Sequence, residues 1–117
     1  MGNSVKWIKL TTDIFDDDKI KCIDSLPDRD AILVIWIKLL TLAGKCNSAG
    51  CLLISQSIPY TDEMLAAVFS RPLNTIRLAL DVFEKFKMIE RHDVIKLVNW
   101  EKHQSEAKLE IIRAWVS

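Results

Sequence analysis

The stretch from Thr61 to Phe86 constrains the fold most, because one short break divides it into two helix-length segments. Ser70-Arg71-Pro72 supplies the break, since Pro is tolerated in the first turn of a helix but not in its interior. Thr61 is placed to cap a helix over residues 62–69, and a second helix is predicted over 72–86. The second segment carries a helical apolar stripe: Leu73, Ile76, Leu80, Val82, Phe83 and Phe86. Two helices joined by so short a turn are typical of a helix-turn-helix.

Two short β-type runs follow the second helix. Ile89–Arg91 and Val94–Val98 flank a polar turn at His92-Asp93, a pattern that predicts a β-hairpin. A hairpin directly after a helix-turn-helix is the arrangement of a winged helix, whose second helix can enter the major groove of DNA. The sequence therefore predicts a winged helix-turn-helix in this half of the chain.

The N-terminal half is predicted to add helices and short strands. VKWIKL, residues Val5–Leu10, has the aromatic and β-branched composition of a strand, and Cys51–Ser55 (CLLIS) is predicted as another. The acidic triplet at 16–18 precedes a predicted helix over Lys19–Leu26, because negative charge at a helix start complements the helix dipole.

The next predicted helix runs to about Ala43 and ends at Gly44. Between Ala31 and that end only Lys38 and Thr41 are polar. A helix that is apolar nearly all round either lies at the centre of its domain or also contacts another subunit. The sequence leaves both alternatives open.

The size and composition of the chain fit one small domain. It has 117 residues, of which 50% are hydrophobic and 27% charged, so it holds enough apolar material for a core. We predict a mainly α fold with a small β-sheet (α+β), comprising a winged-helix domain over residues 1–100 and a partly helical tail or linker over 101–117. No apolar run approaches the ~20 residues of a membrane span, so we expect a cytoplasmic protein with no membrane partner.

No pattern for catalysis or metal binding accompanies these elements. The sequence lacks a Gly-rich phosphate loop, a nucleophile motif with a base, and metal-ligand spacing. We therefore expect no enzyme, no metal and no cofactor. The three cysteines are expected to be reduced thiols, and Cys46 and Cys51 flank a predicted turn across which they could approach each other.

The side chains of a DNA contact are predicted from their positions on the second helix and the hairpin. On helix 72–86 the apolar stripe leaves Asn74, Thr75, Arg77 and Asp81 on the exposed side. Asn can pair with adenine, Arg can pair with guanine, and Thr75 is suited to phosphate oxygens. The candidate DNA-binding residues, with the cations of the turn and hairpin, are Arg71, Asn74, Thr75, Arg77, Arg91 and Lys96.

The charge balance gives no support to DNA contact. The chain has 16 Lys+Arg and 16 Asp+Glu, and residues 61–100 alone carry as many acidic as basic side chains, whereas a nucleic-acid binder usually shows a basic patch. The alternative is a protein–protein oligomerisation module without direct DNA contact. In that case the apolar helix 31–43 and Trp7, Trp100 or Trp115 would form a shared surface.

Five blocks in order, covering about residues 4–105, resemble the N-terminal domain of phage replisome organiser proteins, the DnaD-like replication initiators of phages and prophages. The blocks are VKWIKLTTDIFDDDKIK, ILVIWIKLLTLAGK, IPYTDEMLA, RPLNTIRLALDVFEKFKMI and NWEKHQ. The resemblance implies a winged-helix fold, self-association, and binding to double-stranded DNA at a replication origin in the bacterial host cell. It also implies recruitment of the replicative helicase or its loader, often through a separate C-terminal region that we expect this chain to lack.

One position departs from the family pattern. Lys87 stands at the end of the second helix, where members of the family often carry Gly. Gly would ease a left-handed cap there, so Lys87 implies either mild backbone strain or a different turn.

Overall fold

A computed structural model describes residues 6–55 and 57–100 of the chain. A short 3-10 helix (Ile14–Asp16) leads into α1 (Asp18–Asp24), α2 (Arg29–Cys46), β1 (Leu53–Ile54), β2 (Ile58–Pro59), α3 (Asp62–Phe69), α4 (Leu73–Lys85), β3 (Ile89–Arg91) and β4 (Ile95–Leu97). The predicted α+β class is confirmed, and the order α3, α4, β3, β4 is compatible with a winged helix-turn-helix. The predicted tail or linker over 101–117, with Trp115, lies outside the described residues.

Two of the helices begin at capping side chains. The Asp17 carboxylate accepts hydrogen bonds from the backbone N–H groups of Lys19 (2.8 Å) and Ile20 (3.1 Å) at the start of α1. The Thr61 hydroxyl accepts one from the N–H of Met64 (3.2 Å) at the start of α3. Each cap satisfies a donor that the helix itself leaves unpaired.

Three elements predicted in the N-terminal half differ from the structure. Residues 6–10 of the strand predicted at Val5–Leu10 are not in a strand, because a strand needs a neighbouring backbone to pair with and neither of the two sheets includes them. Val5 lies outside the described residues. The helix predicted to end at Gly44 continues to Cys46, and it ends where Asn47 adopts a left-handed conformation with φ 49°. The strand predicted at 51–55 is reduced to Leu53–Ile54, paired with an unpredicted β2.

The core lies between α2 and α4. From α2, Ile35 and Leu39 are completely buried, and so are Ile76, Leu80 and Phe83 from α4. The ring of Phe83 packs against that of Trp36, with centroids 5.1 Å apart. Helix α2 is therefore central to the domain, although Val34 and Ile37 remain 41% and 38% exposed on its outer side.

The β3–β4 hairpin is joined to the helical core through residues 50–52. The Leu97 N–H donates to the Gly50 carbonyl, and the Leu52 N–H donates to the Ile95 carbonyl, both at 2.9 Å. Cys51 forms an isolated antiparallel bridge with Lys96. Strand β4 thus lies between β3 and this segment, which fixes the hairpin against the helices.

All three cysteines are free thiols. Burial raises the pKa of the Cys46 thiol, and a hydrogen bond with the Leu53 backbone acts in the opposite direction. The thiol form of Cys46 is therefore favoured at neutral pH, whereas Cys22 lies exposed on α1.

The end of α4 contains the left-handed residue that the family pattern suggested. Lys87 has φ 59°, its N–H donates to the Glu84 carbonyl at 3.0 Å, and the Met88 N–H donates to the Phe83 carbonyl at 2.8 Å. These two bonds define a Schellman cap, and the buried side chains of Phe83 and Met88 supply its usual apolar contact. Of the two alternatives for Lys87, the structure shows the strained one.

Lys87→Gly is expected to raise the free energy of unfolding by about 0.5–1 kcal/mol, because Gly accepts a positive φ without the steric cost that a Cβ imposes. Urea denaturation measures this change. Lys87→Ala is the matched control, since it removes the charge and keeps the Cβ. Equal stabilisation by both variants would attribute the gain to charge rather than to φ.

Candidate nucleic-acid interface

Residues of α4 and the hairpin carry most of the predicted DNA-contact side chains. Asn74 and Arg77 are exposed on α4, and Thr75 is half-buried. Arg91 of β3 is drawn onto the same helix by ion pairs, so the structure brings it to the side of α4 that bears Arg77.

Lys96 is separated from Arg91 by the hairpin itself. In the register of β3 and β4, Lys96 lies opposite Glu90, and Arg91 lies opposite the buried Ile95. Because successive residues of a strand point to opposite faces, Arg91 faces the helices while Lys96 faces outward. The two cations predicted together in the hairpin therefore belong to different surfaces.

Arg77 is held by the first turn of α3. Its Nε lies 3.4 Å from Oδ2 of Asp62, and its Nη2 lies 3.0 Å from Oε1 of Glu63. The Arg77 side chain is about half exposed, so solvent weakens both interactions. The guanidinium is nevertheless shared by two carboxylates in the conformation observed.

Arg91 is held more closely, by two acids of α4. Its Nη2 lies 2.7 Å from Oδ1 of Asp81 and 2.8 Å from Oε1 of Glu84, and its Nε donates to the same Glu84 oxygen at 3.3 Å. The hydrogen bond to Glu84 is the main cause of a raised Arg91 pKa; partial burial opposes it, and Asp81 adds to it. Arg91 is therefore a permanent cation enclosed by two anions.

Arg71 has a different environment, because it contacts backbone rather than carboxylates. Its Nη1 donates to the carbonyls of Phe69 (3.3 Å) and Ser70 (3.1 Å), the residues at the end of α3. Within residues 6–55 and 57–100, neither Arg71 nor Lys96 forms an ion pair, and the Asn74 side chain has no hydrogen-bond partner. These three side chains are available to a ligand.

Sequence reasoning missed the pairing of these charges. It placed the arginines on the exposed side of the module but did not identify Asp62, Glu63, Asp81 and Glu84 as their partners. The spacing of Asp81 and Glu84 puts both on one face of α4, and this was the available signal. The face formed by α3, α4 and β3 holds four acids around two arginines.

A half-open groove of about 570 Å³ lies on another side, between the N-terminal segment, α1, α2 and the end of the hairpin. Its apolar lining includes Trp36, Leu40 and Trp100, and its charged lining comprises Lys9, Asp13, Asp16, Asp17, Lys19 and Lys87.

Within the described part of the chain, no cluster of three or more His, Cys, Asp or Glu residues could hold a metal ion. No helix there is long and apolar enough to cross a membrane.

A family model described as the N-terminal phage replisome organiser matches residues 7–115, which is nearly the whole chain. No curated protein and no solved structure matches this chain.

Proposed function

Because the chain belongs to the N-terminal phage replisome organiser family, as its sequence blocks suggested, we propose that it binds double-stranded DNA at a replication origin and thereby initiates phage DNA replication. The proposed DNA-binding residues are Arg71, Asn74, Thr75, Arg77 and Arg91 at α4 and the helix-facing side of the β3–β4 hairpin. Lys96 is proposed to add a contact from the outward face of the hairpin. The proposed setting is the cytoplasm of the bacterial host, with the replicative helicase or its loader as a further partner.

The observation that carries this proposal is the open N-terminus of α4. The N-cap residue is Pro72, and no side chain caps the helix there; the same holds at the start of α2, in contrast to α1 and α3. The first backbone N–H groups of a helix bind anions, because they are unpaired and lie at the positive end of the helix dipole. Arg71 directly precedes this terminus and the unpartnered Asn74 lies in its first turn, so a phosphate and a base edge are both within the reach of one surface.

The paired arginines take part differently. Arg77 and Arg91 can bind phosphate in a two-point fork only by exchanging a carboxylate partner, whereas Arg71, Asn74 and Lys96 have no carboxylate to give up. Initial binding therefore relies on the second group.

Arg71→Ala is expected to weaken DNA binding about three- to tenfold and to reduce the slope of log K against log salt by about one, because one phosphate contact and its counterion release are lost. Arg77→Ala is expected to weaken binding in the same salt-dependent way but less, since Asp62 and Glu63 already share its charge. Fluorescence anisotropy measures both, with the phage's own replication region compared with random DNA at two salt concentrations.

Arg29→Ala is the matched control, because it removes the same charge from the start of α2, outside the proposed interface. An equal loss in Arg29→Ala and Arg71→Ala would assign the effect to net charge alone. Unchanged binding by folded Arg71→Ala would reject the site.

The second candidate function is self-association without direct DNA contact, and the outer face of α2 favours it. Asp30, Val34, Ile37, Thr41 and Lys45 are exposed at helical spacing, so they form one stripe. The stripe is apolar at its middle and oppositely charged at its ends, and neither Asp30 nor Lys45 has an ion-pair partner in the ranges 6–55 and 57–100. Two copies packed antiparallel across Ile37 would place each Asp30 beside Lys45 of the second copy.

The tryptophans that were predicted to join such a surface differ in exposure. Trp7 is 58% exposed, Trp100 is half-buried against the groove, and Trp115 lies outside the described residues. Trp7 and the α2 stripe are therefore the proposed parts of a shared surface.

A further inference from the structure

In its ion pairs, Arg91 is the more buried partner, and its two acidic partners are more exposed to solvent. The Arg91 side chain is 25% exposed, whereas those of Asp81 and Glu84 are 69% and 45% exposed. An approaching polyanion therefore meets the two carboxylates of α4 before it meets the guanidinium. The acids lie on the helix that the proposed function places against DNA.

A phosphate group and a carboxylate compete for the same donors of a guanidinium, because both accept its N–H groups in a planar fork. For Arg91 the carboxylates already occupy Nη2 and Nε. Only Nη1 is left without a carboxylate, and both forks of a guanidinium use Nη2, so a phosphate that binds in a fork must displace at least one carboxylate. The displaced carboxylate then stays nearby as a like charge. Ion pairs with this degree of exposure are weak enough to exchange.

We propose that Asp81 and Glu84 are affinity-limiting residues of the DNA interface, because they act as internal competitors with phosphate for Arg91. The inference rests on the proposed DNA-binding function and adds to it the determinants that keep single-copy binding weak. Restrained affinity favours DNA that engages several copies at once, since each copy then contributes a modest contact to a large total.

The same ion pairs also connect the hairpin to α4, so a purely structural role is the competing explanation. Under that explanation, removing an acid would loosen the hairpin and leave DNA affinity unchanged or lower. Under the proposal, it raises affinity, and the rise depends on Arg91. The two explanations therefore predict opposite signs in one measurement.

The experiment compares Glu84→Gln with Asp93→Asn by DNA-binding anisotropy at low salt. Both variants remove one acidic charge, but Asp93 lies at the exposed tip of the hairpin and forms no ion pair within the described ranges. We expect Glu84→Gln to bind DNA about two- to fivefold more tightly than Asp93→Asn does, which corresponds to the release of one partly exposed ion pair.

A double-mutant cycle tests the dependence on Arg91. In an Arg91→Ala background, Glu84→Gln is expected to give no more gain than Asp93→Asn, because the competitor has lost its target. A gain that persists without Arg91, or equal gains for the two acid variants, would overturn the proposal. A loss of affinity in Glu84→Gln would establish the structural explanation instead.

Asp81→Asn provides a second variant, with only one hydrogen bond to Arg91 removed, if Glu84→Gln proves unstable in a thermal melt. Exchange of the Arg91 Nε proton, followed by NMR, is expected to be slower in the wild type than in Glu84→Gln irrespective of DNA.

If the wild type binds DNA but Glu84→Gln shows no specific gain, this inference alone fails. If no variant binds DNA, the proposed function fails and this inference fails with it.

Discussion

Gly50→Ala is expected to lower the free energy of unfolding by about 2–5 kcal/mol, the sum of a strained backbone and local overpacking. Gly50 has φ 89°, a conformation that a residue with a Cβ adopts only at a cost. A Cβ added there would lie 2.7 Å from the Cβ of Trp100 and 3.0 Å from the Leu97 carbonyl oxygen. The second contact is with backbone, so it cannot be relieved by a side-chain rotation.

The effect reaches the hairpin because the Gly50 carbonyl accepts the hydrogen bond of the Leu97 N–H. Moving either segment to make room for the Cβ weakens the junction that holds β4 against residues 50–52. We therefore expect a loss of stability without loss of the α2–α4 core, and chemical denaturation followed by circular dichroism measures it.

The preceding residue offers a control of opposite sign. Ala49 also has a positive φ, 58°, and its side chain is exposed. Ala49→Gly is expected to leave stability unchanged or raise it by up to about 1 kcal/mol. A Gly50→Ala variant as stable as the wild type would contradict the close approach of Gly50 to Trp100.

Ile37→Lys is expected to weaken self-association of the chain at least thirtyfold, or by about 2 kcal/mol or more. Ile37 lies near the middle of the α2 stripe, so in a two-fold symmetric pair both copies of the substitution meet close to the axis. Two ammonium groups would then replace an apolar contact. Analytical ultracentrifugation over the micromolar range measures the change.

Leu78→Lys is the matched control for this experiment, because Leu78 is comparably exposed, at 41%, but belongs to α4. It introduces the same charge away from the stripe and is expected to leave self-association unchanged. A wild-type chain that stays monomeric throughout the range would remove the second candidate function. Equal weakening by both variants would place the interface elsewhere.

Self-association through the α2 stripe and DNA binding through α4 are compatible in physical terms, because the two surfaces belong to different helices. A face on which acids surround the arginines binds a polyanion weakly as a single copy, whereas several linked copies multiply weak contacts. Each predicted arginine on α4 and β3 has its own acidic neighbours.

The sequence by itself determined the local elements around the candidate site. Thr61 and Pro72 mark the starts of α3 and α4 within one residue, and the apolar stripe of α4 identifies its buried face, including Ile76 and Phe83. Such features are readable because capping, proline geometry and helical periodicity act between residues a few positions apart. The hairpin was predicted for the same reason.

Only the tertiary structure decided which charges are available and which residues at the N-terminal end find a strand partner. The carboxylates that hold Arg77 and Arg91 are seven to fifteen residues away along the chain. The contact of Gly50 with Trp100 joins still more distant segments, and residues 6–10 form no strand because the short sheets pair elsewhere. These outcomes depend on how packed elements approach one another. Local sequence patterns can place two acids on one helix face, but they do not show which distant residue will meet that face.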